Sequence, residues 1–149
     1  SKIYKDVIKI DPESLTKVEG AAEFVKKTGV DRFAPAVGNL HGIAANEPRL
    51  DFGLIEAIRE ALPQNVALVL HGGSGISDES MKKAIKAGIN NIHINTEIRV
   101  VYRQALEDFL RKNPDETTPY KFLAPAMDAM QKKVEEKLRL FGAIERVEN

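Results

Sequence analysis

Val66-Ala67-Leu68-Val69-Leu70-His71-Gly72-Gly73-Ser74-Gly75 is the stretch on which the fold turns. Its first five residues form an unbroken β-branched and aliphatic run, the pattern of a strand covered on both faces in a parallel sheet. A histidine ends the run, and three glycines and a serine follow in the next four positions. A turn needs one glycine or two, so this loop is built to let something approach the backbone closely.

The same arrangement recurs on either side. Residues 33–37 form a short apolar run that opens into Gly38-Asn39-Leu40-His41-Gly42, with Pro35 as an objection to a central strand. Asn91-Ile92-His93-Ile94 reads as a third brief strand running into Thr96-Glu97. Strands starting near residues 33, 66 and 91 suit βα units of a parallel sheet.

Helical spacing fills the intervals. Asp11-Pro12-Glu13 supplies an N-cap, a proline at the first helical position and an early acid, so a helix is predicted from there to Gly29 through Leu15, Val18, Ala21, Ala22 and Val25. Phe52, Ile55, Ile58 and Leu62 mark a second helix closed by Pro63, and Ser77-Asp78-Glu79 caps a third that Gly88 stops. After the third strand come an amphipathic helix over 98–112, a polar turn over 113–118 and a long helix over 119–141. The apolar positions of that last helix are Phe122, Met127, Met130, Val134 and Leu138, with both methionines read as core. The tail from Gly142 is polar and expected to fray.

Composition narrows the function. The 149 residues are 43% hydrophobic and 30% charged, which fits one globular domain. Lys plus Arg equals Asp plus Glu at 22 each, so no net field draws nucleic acid or an anionic membrane, and a bound anion has to be held locally. Without cysteine there are no disulfides and no thiolate metal sites, which leaves His, Asp and Glu as ligands. No apolar run approaches the roughly 20 residues of a membrane span, and SKIYKDVIKID lacks the apolar core of a signal peptide. The expected compartment is the cytoplasm, with any segment upstream of Ser1 left open.

The three histidines, His41, His71 and His93, all fall at the carboxyl ends of the three predicted strands. In parallel α/β sheets and barrels those ends line the active site, so the side chains are placed to converge. Neutral imidazoles suit zinc, and three protein ligands with one open position describe a catalytic zinc site. The plain alternative for each is a hydrogen-bonded structural histidine. The glycines that follow His41 and His71 favour the ligand reading there, whereas His93, flanked by Ile92 and Ile94, stays open.

Gly72-Gly73-Ser74-Gly75 precedes the helix starting at Ser77-Asp78, and glycine amides beside a helix amino end can hold a phosphate. Asn95-Thr96 offers similar donors at the next helix. Two such adjacent βα loops resemble the phosphate site of many (β/α)8 barrels. The alternative is a turn plus an N-cap. Lys82, Lys83, Lys86 and the charged run 132–139 read as solvated helix faces, and Arg99 is a weaker anion candidate.

GNLHG at 38–42, LVLHGGSG at 68–75 and HINTE at 93–97, in that order, resemble the carboxyl-terminal half of class II fructose-bisphosphate aldolases, a family that includes the tagatose-bisphosphate aldolases. The resemblance runs from the DPE segment to the FGA around Gly142. It implies an α/β fold, a partial (β/α)8 TIM barrel, with the strands corresponding to the sixth to eighth, followed by carboxyl-terminal helices. Residues 1–149 would then be the carboxyl-terminal half of such a domain, the first half being absent.

His41 and His71 match two zinc-ligand histidines. Gly42, Gly72, Gly73, Ser74, Asn95 and Thr96 match positions that hold the phosphate of dihydroxyacetone phosphate. His93 stands where the family usually has a substrate-touching asparagine, and it is the catalytic candidate here because histidine can bind a metal or a proton.

The implied activity is a zinc-dependent lyase of carbohydrate metabolism, acting in glycolysis, with room for a monovalent cation beside the zinc. The metal polarises a ketone so that a neighbouring carbon can lose a proton, and fructose 1,6-bisphosphate yields dihydroxyacetone phosphate and glyceraldehyde 3-phosphate. Tagatose 1,6-bisphosphate cleavage and a non-catalytic phosphate-binding half-barrel are the alternatives. The family's further histidine ligand, its aspartate acid or base and its loop glutamate have no counterparts here. Three strands cannot close a barrel, so the isolated chain is expected to be inactive and to require either the missing half or a homo-oligomer. No nucleic-acid or membrane partner is expected.

Overall fold

The structure, a computed structural model, describes Ile3 and residues 7–144. The first compact unit ends at Ile94 and the second begins at Asn95.

The first unit is a three-stranded parallel sheet with helices between its strands. β1 (Arg32–Phe33), β2 (Ala67–Leu70) and β3 (Asn91–Ile92) lie in the order β1-β2-β3. Arg32 pairs with Ala67 and Phe33 with Leu68, while Val69 pairs with Asn91 and Leu70 with Ile92. β2 is the central strand, and Leu68, Val69 and Leu70 are buried, as an apolar run covered on both faces requires.

The outer strands are shorter than their sequence suggests. The strand expected over 33–37 is confined to Arg32–Phe33. Pro35 has no amide hydrogen to donate to the ladder, and the chain leaves the sheet there: Ala36 N–H bonds Thr16 Oγ1 and Ala36 O accepts from Thr16 N–H. That same Thr16 contact explains a second departure. Asp11 caps only a 3₁₀ turn, Pro12–Ser14, and the helix resumes as α1 (Val18–Thr28), ending at Gly29 in the left-handed conformation.

α2 (Phe52–Ala61) starts at Asp51, whose carboxylate accepts Leu54 N–H, and it buries Ile55 and Ile58. Arg59 on this helix donates to the carbonyls of Leu62, Pro63 and Val66, and so ties down the turn leading into β2. α3 (Asp78–Lys86) is capped by Ser77, whose hydroxyl accepts Ser80 N–H, and it buries Met81 and Ala84. Lys82, Lys83 and Lys86 are exposed, as expected of a solvated face.

The second unit pairs α4 (Thr96–Lys112) with α5 (Pro119–Leu140). In the turn between them Glu116 accepts Thr118 N–H at 3.0 Å and pairs with Lys121 at 2.9 Å. Bonds from the Thr118 hydroxyl and from Lys121 hold the Glu116 carboxyl down at about 2. Two expectations fail here. Met127 is 53% exposed and Val134 and Leu138 are also exposed, because the apolar stripe of α5 is wider than the face that packs. Lys137, read as part of a wet face, is buried and pairs with Glu97 at 3.1 Å. Residues 145–149, the end of the tail expected to fray, lie outside the described residues.

Candidate active site at the strand ends

His71 directly follows β2 and His93 directly follows β3. Leu70 and Ile92 form the last named pair, and the ladder then continues: His93 N–H donates to Leu70 O at 3.0 Å, and Gly73 N–H donates to His93 O at 3.0 Å. His71 and His93 therefore occupy the next rung. Residues in register on adjacent parallel strands stand on one face about 4.8 Å apart. The two rings meet edge to face with centroids 4.5 Å apart, and Nδ1 of one lies 3.2 Å from Nδ1 of the other.

His41 reaches the cluster differently, since it lies eight residues beyond β1 in a loop rather than at the strand's end. Asn39 pins that loop: its side-chain amide donates to His71 O at 2.9 Å while its oxygen accepts Val37 N–H. The His41 and His71 ring centroids are 5.4 Å apart. His71 thus has an imidazole on each side, and the three histidines foreseen to converge do so.

Partial burial, then the neighbouring imidazoles of His93 and His41, lowers the His71 pKa from the ordinary histidine value. A ring kept neutral in this way is the form that ligates a metal. Among the described residues, no three His, Cys, Asp or Glu side chains are gathered tightly enough to hold an ion by themselves. The donor chemistry fits zinc, with the His71–His93 pair the most closely assembled part of it.

The glycine loop has a tighter reason for its composition than the sequence disclosed. Gly72 has φ +65°, and a Cβ there would stand 2.1 Å from Leu40 O. At Gly73 a Cβ would meet Ile94 Cδ1 at 2.8 Å and His93 O at 3.1 Å. What approaches the backbone so closely is the protein's own neighbouring loops, one carrying His41 and the other His93. The glycines seat the histidines.

The amino end of α3 already has an anion. Glu47 Oε1 accepts Ser77 N–H at 3.0 Å, and that bond, with further bonds from Ser80 and Ser77, lowers the Glu47 pKa. Glu47 lies 30 residues from Ser77 in sequence, so no local motif announces the contact. Ser74 is buried in the loop, and Gly42 takes φ +117° beside His41. In the second unit Asn95 is the N-cap of α4, and Thr96, its first residue, is buried. Arg99 is exposed on that helix.

Comparison with known proteins places this geometry. The family model for class II fructose-bisphosphate aldolase matches residues 3–146. A fructose-bisphosphate aldolase of Geobacillus stearothermophilus is 39% identical over 141 residues, covering 95% of this chain and 46% of that one. The crystal structure of the YdjI aldolase from Escherichia coli K12 is 40% identical, with a TM-score of 0.73 over 87% of this chain and 46% of that one. A Coccidioides immitis protein, solved as a candidate fructose-1,6-biphosphate aldolase, is 29% identical with a TM-score of 0.79, covering 90% of this chain and 45% of its own. The chain spans about half the length of these relatives. A match of that extent, over the strand-end histidine loops and the helices that follow, makes the chain a member of the class II fructose-bisphosphate aldolase family.

Proposed function

We propose that this chain supplies the zinc and phosphate ligands of a class II aldolase that cleaves fructose 1,6-bisphosphate into dihydroxyacetone phosphate and glyceraldehyde 3-phosphate. The observation that carries the reading is the convergence of His41, His71 and His93 at one end of a parallel sheet. Its sheet and helices would form the closing part of a (β/α)8 barrel, and the rest of the site would come from the part of the relatives that this chain does not match. The compartment that suits such an enzyme is the cytoplasm.

His41 and His71 would hold the zinc, and His93, beside His71, is the catalytic candidate. Bound there, zinc would polarise the substrate ketone and so make the adjacent carbon–hydrogen or carbon–carbon bond easier to break. The chain's own work is placement. The β2–β3 ladder fixes His71 and His93 on one rung, and Asn39 fixes the His41 loop against them.

For the substrate phosphate, the candidates are Gly42, Gly72, Gly73, Ser74, Asn95 and Thr96. The Gly73 and Ser77 amides already have protein acceptors. That observation favours, as a second reading, a glycine loop whose work is to seat the histidines. Fructose or tagatose 1,6-bisphosphate as substrate is a matter for assay.

The test is reconstitution. The chain is produced together with the part of the Geobacillus stearothermophilus relative that it does not match, and release of dihydroxyacetone phosphate is measured from each bisphosphate. Zinc-dependent cleavage is expected, falling at least about a hundredfold in His71→Ala, since loss of an outer-shell partner alone costs 10–100-fold. A folded complex that cleaves neither sugar contradicts the proposal.

A further inference from the structure

We propose that His93 is itself a metal ligand, so that the chain's preformed chelating pair is His71 with His93, joined through their Nδ1 atoms. The inference rests on the zinc reading above and assigns His93 its place in it.

The argument is one of distance and register. Two nitrogens bound to one tetrahedral zinc, each at about 2.0–2.1 Å, stand roughly 3.3–3.4 Å apart. The two Nδ1 atoms are 3.2 Å apart. Without a metal, that separation requires one ring to carry its proton on Nδ1 and the other to leave Nδ1 bare. A divalent ion satisfies both nitrogens in their bare form.

The separation is built into the backbone. Both histidines extend the β2–β3 ladder by one rung: His93 is anchored by its N–H to Leu70 O and by Gly73 N–H to its own O, and His71 O accepts the Asn39 side-chain amide. Gly73 leaves the room: a side chain there would press on His93 O and Ile94. Two ligands already held at chelating distance cost little ordering on binding. His41, its ring centroid 5.4 Å from that of His71 and on a loop rather than on the ladder, is the nearest further imidazole.

The test is zinc binding by the purified chain, with no turnover required. Zinc affinity is measured by competition with a chromogenic chelator for the wild type, His93→Asn, His93→Gln and the double variant His41→Ala with His71→Ala. Thermal melts without metal report whether each variant folds. Nitrogen-15 chemical shifts of the histidine rings are followed as zinc is added to the wild-type chain.

Both His93 variants are expected to bind zinc at least about a hundredfold more weakly than the wild type. The Nδ1 resonances of His71 and His93 are expected to move together. Wild-type affinity in a folded His93 variant, or a His93 Nδ1 resonance that stays still while that of His71 shifts, overturns this inference and leaves the zinc reading intact. A folded wild-type chain that binds no zinc overturns both.

Discussion

The two compact units solve their construction problems in different ways. In the first, position is set by main-chain hydrogen bonds: the β2–β3 ladder runs on past its last named pair and carries His71 and His93 with it. In the second, α4 and α5 meet through side chains, among them the nearly buried Glu97–Lys137 pair, while the surface ion pairs lie within one helix or the other. Parallel-strand register fixes side-chain position through main-chain bonds, whereas a pair of helices held by side chains leaves apolar residues such as Met127 exposed. Metal ligands need the former kind of support.

Core truncation should separate the units most sharply. Leu68 is fully buried in the central strand, and Leu68→Ala should cost about 2–5 kcal/mol in denaturant unfolding. Met127→Ala, at a position 53% exposed, should change stability by no more than about 0.5 kcal/mol. Equal losses would erase the distinction.

Gly72→Ala comes next. It places a methyl group 2.1 Å from Leu40 O in a left-handed conformation, and strain and overpacking at about 1–3 kcal/mol each give roughly 2–6 kcal/mol. Calorimetry measures the loss, and the ring proton shifts of His41 should change with it, since Leu40 must move. An alanine variant as stable as the parent would mean that the two loops are not in contact.

In the second unit, Lys137→Ala removes the ammonium that faces Glu97 in a site where the two side chains are 9% and 17% exposed. Breaking a fully buried pair costs about 3–5 kcal/mol, and residual solvent reduces this to about 1–2 kcal/mol. Lys137→Met should recover less than half of it, because methionine refills the volume but restores no charge beside the carboxylate.

The smallest expected effect is a pH dependence. Glu47 is a carboxyl whose folded pKa lies below its ordinary 4.5, chiefly through the Ser77 N–H. Its contribution is fully present above 4.5 and is lost as pH falls through the lower folded value. Unfolding midpoints measured from neutral pH downward should therefore drop less steeply for Glu47→Gln than for the wild type. Identical slopes would remove the Glu47 cap on α3 from the account.

Much of this was legible in the sequence, and the exceptions share a cause. The buried run 66–70 announced the central strand, and Gly29 and Ser77 marked helix boundaries correctly, because each is a local signal. The positions of His41, His71 and His93 after apolar runs announced their convergence. Pro35 shortened β1 as its missing donor implies, but the interruption of the helix expected from Asp11 to Gly29 depended on the paired bonds between Thr16 and Ala36, twenty residues away. Glu47 and Lys137 found their partners 30 and 40 residues away, where charge patterning along one helix says nothing. The glycines of the 72–75 loop were rightly read as making room, and only the fold shows that neighbouring loops fill it.

Metal analysis of the folded protein, loaded with zinc and then desalted, tests the central claim most directly. The account predicts stoichiometric zinc in the wild type and none in the variant with His41→Ala and His71→Ala. A well-folded wild-type protein without zinc, or zinc retained undiminished by the double variant, would contradict it.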